Sequence, residues 1–269
     1  MTRRMLSWVL LALLTAGCQQ ISTTAPGMVG VTRKQTMLVS EQEVNQASAQ
    51  AYQQQMAAAR GQGVLNSNAA LTRRVRAISK RLIAQTPFFR PDAAQWRWEV
   101  NVVQSPEMNA YAMAGGKIAV YSGLAQKLSL TDDELAAVIG HEIAHALREH
   151  SREKASQAQM QQLGVGLLGI IGGLNSNQLG LANSAADLAF GLPYSRNMES
   201  EADTVGLELM ARAGYDPRAA VSVWKKMQMA GQSGGPGFLS THPNAGQRIE
   251  SISAQLPNVQ PLYEAARRK

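Results

Sequence analysis

Two imidazoles stand four positions apart around a carboxylate in His141-Glu142-Ile143-Ala144-His145. On a helix, residues at this spacing share one face with their Cβ atoms about 5–6 Å apart. That is close enough to hold one ion between them. From Leu135 to Leu147 every other position is apolar or small, so the helix has no solvent face and is expected to be buried. Buried ionisable groups are costly without partners. A zinc ion fits two histidines in this arrangement. Thr131-Asp132-Asp133-Glu134 opens the segment as a capping box, Thr131 being the N-cap and Glu134 reaching back. The competing reading, two core histidines that happen to flank a glutamate, is weaker because a chance copy would usually fall on an amphipathic surface helix.

A second set of carboxylates lies downstream, where Ser195 to Ala213 reads as a helix ended by Gly214, with Asp216-Pro217 opening the next. On a helical wheel Glu199, Ala202, Asp203, Gly206 and Met210 form one stripe, and Asn197, Glu201, Thr204 and Glu208 the opposite one. The first stripe is small and apolar apart from its carboxylates, so it should face inward and leave Glu201 in water. Glu199 then serves as third metal ligand, leaving a fourth position for water, and Asp203 accepts the outer ring N–H of a ligand histidine. His150, five positions beyond His145, falls off the metal face and reads as structural.

These side chains need a scaffold. With 45% apolar, 17% charged and only 5% aromatic residues, the chain is expected to fold around an ordinary core as an α+β, mostly helical protein. Ser40 and Glu43 cap a helix that runs to Arg60 and stops at Gly61 and Gly63. A second spans Asn68 to Gln85, with Leu71, Val75, Ile78 and Leu82 at helical spacing and Pro87 beyond it. The period changes to two in Trp96 to Val102 and again in Gly116 to Tyr121, predicting strands, with Asn109-Ala110-Tyr111-Ala112 between them. A small sheet thus directly precedes the metal helix. Its edge is either a place for an extended peptide to add as a strand or a simple two-stranded prop. Leu163 to Leu174 is apolar and Gly-rich but too short to span a membrane as a helix. It reads as buried packing, with a flap over the cleft or a membrane-touching segment as the alternatives, and Asn175 to Pro193 as loop or frayed helix.

The first 17 residues have the form of a signal peptide: Arg3 and Arg4, the apolar run Met5 to Leu14, then small residues ahead of Cys18. Cys18 resembles the lipid-attachment cysteine of bacterial lipoproteins, so residues 18–35 are expected to be a lipidated cysteine and a flexible tether rich in Ser, Thr, Gly and Pro, and residues 36–269 the domain that carries the site. Cys18 is the only cysteine, so the folded domain has neither disulfide nor thiolate metal ligand. Without Arg3 and Arg4 the net charge of +7 falls to +5, an excess that suits an anionic envelope surface but that an ordinary soluble surface explains as well or better, and no nucleic-acid signature accompanies it.

The metal helix, followed by Ser195-Arg196-Asn197-Met198-Glu199-Ser200-Glu201-Ala202-Asp203, resembles the HtpX, Ste and Oma group of gluzincin endopeptidases with their S-R-x-x-E-x-x-A-D signature. Asn109 to Ala112 with Gly115-Gly116 is similar to the strand those proteases place before the zinc helix. His242-Pro243 with Arg248 looks like their C-terminal H-P motif, and Thr15 to Cys18 like the lipobox of bacterial lipoproteins. The resemblance implies a zincin-type core with one zinc ion per chain and a small sheet beside the zinc helix. It implies hydrolysis of peptide bonds, Glu142 acting as general base, and polypeptide substrates lying along Asn109, Ala110, Tyr111 and Ala112. His242 would donate to the oxyanion or occupy the open metal position at rest, with Arg248 orienting it. It also implies a lipid anchor at Cys18, a periplasm-facing place in the envelope with the outer membrane favoured, misfolded or unassembled envelope proteins as substrates, and the outer-membrane assembly machinery as a partner. The reading from another class is a zinc-binding lipoprotein acting as a chaperone-like assembly factor.

Overall fold

The computed structural model describes residues 19–172, 194–231, 238–243 and 245–268. Strands β1 (Gln19–Ile21) and β2 (Gln35–Met37) precede helices α1 (Glu41–Gly61) and α2 (Ala69–Ile83). A three-stranded sheet follows, of β3 (Glu99–Val103), β4 (Ala110–Met113) and β5 (Lys117–Tyr121). The remainder is helical: α3 (Ser122–Lys127), α4 (Asp132–Leu147), α5 (His150–Gly172), α6 (Arg196–Arg212), α7 (Arg218–Gly231), the single turn α8 (Phe238–Thr241) and α9 (Ala245–Arg267). The protein is mostly helical with small sheets, as its composition requires.

Local chemistry sets the element ends. Ser40 accepts from the Glu43 N–H while the Glu43 carboxylate accepts from the Ser40 N–H, and Thr131 and Glu134 do the same at the start of α4. Asn68 caps α2 and Ser195 caps α6. The sheet has order β3-β5-β4, β5 running parallel to β3 (Glu99 opposite Lys117) and antiparallel to β4 (Ala110 opposite Val120). This is one strand more than a two-stranded prop, and β4 is an edge. Gly115 and Gly116, at φ +73° and +83°, make the β4–β5 turn in a region that disfavours any residue with a Cβ.

The core is centred on α4, buried from Glu134 to Leu147. Helix α6 crosses it where two glycines meet. A Cβ on Gly206 would lie 2.8 Å from the His141 backbone N and 2.9 Å from the Gly140 carbonyl carbon. Backbone therefore packs on backbone, and the residues flanking this crossing are the ones the sequence singled out: His141 and His145 on α4, Glu199 and Asp203 on α6.

Two expectations are corrected, by one cause. Residues from Gln20 onward do not form a flexible tether. β1 pairs with β2, and the connection between them lies against the back of α6 and the start of α5. The Met28 and Val29 N–H groups donate to Glu208 Oε2 at 2.8 and 3.1 Å, and Ala25 N–H donates to the Phe89 carbonyl at 2.8 Å. This N-terminal strap covers the α6 face assigned to water, so Glu201 and Glu208 are buried. The wheel separated the two faces correctly, but both are packed. Residues 1–18, which include Cys18 and the segment expected to be a signal peptide, lie outside the described residues, as do 173–193. α5 carries the Gly-rich segment as helix as far as Gly172, and among the described residues no helix is long and apolar enough to cross a membrane.

Gly206→Ala is expected to force the two helices apart at a cost of about 1–3 kcal/mol, on the order of 5 °C in Tm. Gly61→Ala, whose Cβ would meet nothing within 4 Å, is the control expected to leave Tm unchanged or slightly raised. Thermal unfolding of the two variants would sink the crossing argument if they behaved alike.

Candidate metal centre

Among the described residues, His141, His145, Glu199 and His242 offer ligand atoms that all lie within 4.8 Å of one another, and each residue is buried. His141 Nε2 is 3.0 Å from His145 Nε2 and 3.2 Å from His242 Nδ1. Glu199 Oε1 lies 3.3 Å from His145 Nε2 and 2.9 Å from His242 Nδ1. Burial holds the imidazoles of His141 and His145 well below the usual histidine pKa, so their lone pairs are available at neutral pH. Against the effect of its burial, His242 and His145 hold Glu199 well below the ordinary carboxylate range, as an anion.

The donor set fits a divalent cation on its own chemistry. One nitrogen of His141 faces two other imidazole nitrogens, and a neutral ring has only one proton to place. Glu199 Oε2 has no hydrogen-bond partner; Arg248 Nη1, 2.6 Å away, pairs with it as an ion but not in hydrogen-bond geometry. A cation at the convergence of three nitrogens and a carboxylate satisfies groups that otherwise leave each other short of protons, and the ligand types suit zinc.

Asp203 stands where the wheel placed it, Oδ1 3.1 Å from His141 Nδ1. Arg248, from the first turn of α9, grips that carboxylate with Nε at 2.7 Å and Nη2 at 2.6 Å, and lies over the Trp224 ring at 3.5 Å. Glu142 points into the same space. Desolvation pushes its carboxyl up to about 7, its Oε1 has no hydrogen-bond partner, and the Ala112 N–H on β4 faces the carboxylate. Tyr121 N–H donates to the Asn109 carbonyl, so Ala110 and Ala112 direct their backbone groups to the free side of β4. Asn109 Oδ1 takes the Ala110 N–H at 2.9 Å, and Tyr111 turns back, its hydroxyl bonded to Gln55.

Several residues around the centre were not singled out from sequence as part of it. His242 is sandwiched between Phe238 at 4.2 Å and Tyr194 at 5.4 Å, and Tyr194 also stacks on His145 at 4.0 Å. Backbone bonds from Phe238 N–H to the Met108 carbonyl (2.8 Å) and from Tyr194 N–H to the Thr241 carbonyl (3.1 Å) draw these rings over the metal helix. An isolated aromatic carries no periodic signal, so nothing in the sequence marked Tyr194 or Phe238. His150 contacts His145 directly, Nδ1 to Nδ1 at 2.8 Å. Glu201, expected in water, is paired with Arg148 at 2.8 Å and with Arg33 from the strap. Surplus buried charge near the site, in Arg148 and Glu153, was the available clue to both.

A buried helix bearing two histidines and a glutamate, crossed by a second helix supplying a carboxylate, defines a metallopeptidase centre of the gluzincin kind. Residues 69–256 match Peptidase family M48, and the chain belongs to this family. It is 35% identical over 208 residues to the Mitochondrial metalloendopeptidase OMA1 of Schizosaccharomyces pombe, covering 77% of this chain and 59% of that one. It is 36% identical over 186 residues to the Metalloendopeptidase OMA1, mitochondrial, of Bos taurus, covering 65% and 35%. With the Beta-barrel assembly-enhancing protease of Escherichia coli (strain K12) it shares 27% identity over 212 residues, covering 76% and 42%. The chain thus matches between 35% and 59% of the length of these relatives.

The two glutamates of α6 should separate by experiment. Glu199→Ala is expected to bind almost no zinc at saturating metal. Glu201→Ala should keep about one ion per chain but lose roughly 3–5 kcal/mol of stability, because Arg148 and Arg33 are left buried without their counter-charge. Metal analysis and urea unfolding read the two effects, and loss of metal in the Glu201 variant alone would reverse the assignment.

Proposed function

We propose that this chain is a zinc-dependent endopeptidase, with His141, His145 and Glu199 as ligands of one zinc ion and Glu142 as general base. The observation that carries the reading is Glu142. It is a buried carboxylate with an uncommitted oxygen, poised near neutrality and directed at the same point as the ligand set. A centre that only stabilised the fold would have no use for it. Zinc, when bound, supplies Lewis acidity, polarising the scissile carbonyl and making a water easier to deprotonate. Glu142 Oε1 takes the proton of the attacking water and passes it to the leaving amine. Asp203, held by Arg248, fixes His141 through its Nδ1. The substrate backbone lies along β4 as an added strand, against Ala110 and Ala112.

His242 is the fourth member of the cluster, and its 2.9 Å approach to Glu199 favours the resting-state ligand over the oxyanion donor. All five central groups are only 2% exposed, so a peptide reaches Glu142 only after the cover over the centre, of which Phe238 and Tyr194 are part, moves aside. A centre closed by four protein ligands is also what an assembly factor with structural zinc would have, so the two readings part on turnover.

In this proposal, residues 1–17 are a signal peptide, Cys18 carries lipid, and the enzyme faces the periplasm from the outer membrane, removing misfolded or unassembled envelope proteins. Similarity to the Beta-barrel assembly-enhancing protease supports this setting and the outer-membrane assembly machinery as a partner. Similarity to mitochondrial metalloendopeptidases supports a protease that works at a membrane-bounded compartment in general.

Casein hydrolysis by the purified chain should be abolished by a chelator, restored by zinc, and lowered about a hundredfold or more in Glu142→Gln with zinc retained. His242→Ala should raise the rate; a fall of about a hundredfold with zinc retained would instead make it the oxyanion donor. No zinc-dependent cleavage by any of these proteins would leave the assembly-factor reading standing. Cys18→Ser should move the protein from the membrane to the soluble fraction, and continued membrane association would remove the lipid anchor from the account.

A further inference from the structure

Helix α2 carries five basic side chains, Arg73, Arg74, Arg76, Lys80 and Arg81, and no acidic one. Its inner stripe, Leu71, Val75, Ile78 and Leu82, is buried in the core. What remains exposed along the helix is basic or alanine: Arg73, Arg76, Ala77, Lys80 and Arg81. Among the described residues Arg74 alone of the five bases forms an ion pair, with Asp132. A stripe of bases is by itself an ordinary solvated surface, but the C-terminal end of this one adds two features that solvation does not call for.

There the ends of α2, α6 and α9 line a cavity of about 450 Å3, with the guanidiniums of Arg81 and Arg212 on its walls and Ala84, Ala213, Leu262 and Ala266 as apolar lining. Both guanidiniums are held in place. Arg81 lies over the Tyr215 ring at 4.1 Å and donates to the Ala213 carbonyl, and Arg212 donates to Glu208 at 2.8 Å. The second feature is apolar. Arg212 also lies 3.3 Å over the ring of Phe88, which is 48% exposed, and Met28 on the strap, 63% exposed, donates its N–H to the same Glu208. Two of the three exposed large apolar side chains of the described residues thus flank one glutamate–arginine pair at the edge of the basic face.

This combination discriminates between anionic partners. Nucleic acid would engage the bases through its phosphates and leave Phe88 and Met28 in water. An anionic bilayer uses both, its phosphates meeting the bases and its acyl boundary receiving the apolar side chains. The cavity, cationic on two walls and apolar between them, has the chemistry to take one phosphate headgroup with the start of its acyl chains. We propose that the exposed face of α2, with the cavity at its end and Phe88 and Met28 beside it, is a docking surface for an anionic phospholipid bilayer. The surface depends neither on the metal centre nor on a lipid at Cys18, and it sets which side of the domain lies on the membrane.

Co-sedimentation with vesicles tests this on the full chain carrying Cys18→Ser, which lacks the thiol for lipid attachment; all variants share that background. Vesicles of equal phosphatidylglycerol and phosphatidylcholine should bind it at least about 10-fold more tightly than phosphatidylcholine alone, and the preference should shrink as salt screens it. Each base near an anionic leaflet contributes roughly fivefold, so Arg73→Gln with Lys80→Gln should lower binding to the anionic vesicles about 25-fold at unchanged Tm. Arg60→Gln with Lys225→Gln, which removes two exposed bases from α1 and α7, takes away the same charge elsewhere and should change binding little. Phe88→Ser should weaken binding roughly 10-fold through the lost apolar contact. Equal losses in the two double variants would reduce the effect to net charge, and absence of a preference for the anionic vesicles would make α2 a solvated face; either result overturns the proposal. Binding of duplex DNA that is lost in the α2 variant, with vesicles left unbound by the parent, would assign the face to nucleic acid and overturn it as well.

Discussion

The contact between Gly140 and Gly206 is the constraint on which the rest depends. Side chains usually hold helix axes 8–10 Å apart, and here the lack of a Cβ on both sides lets the backbone of α6 rest on that of α4. The approach is close enough for a glutamate, with its short reach, to meet histidines on the neighbouring helix. Glu199 and Asp203, one turn apart and preceding Gly206, fall on the two sides of His141: one joins its Nε2 edge and the other its Nδ1 edge. Any larger residue at the crossing would spread all of these distances together, so the centre depends on a packing detail that carries no charge and no chemistry of its own.

Burying five ionisable groups where α4 and α6 cross has an electrostatic cost, and the fold offsets it by pairing charges in separate compartments. On one side of α6 Arg248 answers Asp203 and Glu199; on the other Arg33 and Arg148 answer Glu201 and Glu153. Arg90 meets Glu149 and Glu41 where α4 gives way to α5. Buried pairs of this sort add little net stability over an apolar core, but they are severely disruptive when halved. Their value lies in orientation, since each guanidinium is a planar donor fork that admits few geometries.

Much of this was legible in the sequence, and the reasons differ by element. Capping boxes at Ser40 and Thr131 and the wholly apolar α4 are local signals, written within a few consecutive residues, and they predicted helix ends and burial together. The pairing of Glu199 and Asp203 with the histidines followed from one wheel. What could not be read was the second layer. The wheel has two faces, and assigning Glu201 to water assumed that only one could be covered. Its cover is a segment of mixed polarity, held by hydrogen bonds between Glu208 and backbone N–H groups and by the ion pairs of Arg33, with Val31 alone of its side chains buried in the main core cluster. Binding of that sort leaves no hydrophobic periodicity. His150 was set aside for the same reason: at five positions from His145 it lies off the metal face, and only a ring-to-ring contact brings it back.

The closed state of the centre and its chemistry pull in opposite directions, and their balance suggests how such an enzyme could be both stable and safe. Four donors within 4.8 Å make a saturated site, which favours folding with metal bound. The fourth donor, His242, instead follows a single helical turn tied by two backbone hydrogen bonds, by the stack of Phe238, His242 and Tyr194, and by Phe238 packed on Trp224 in the core. The other three donors are set in α4 and α6, where release would mean unfolding the core. The donor set is therefore unequal by construction: three of its members stand on two helices of the core and one on the short stretch beside them. His242 Nε2 also lies 3.4 Å from Glu142 Oε1, so in the proposed reading its departure would free one metal position and the general base in the same motion.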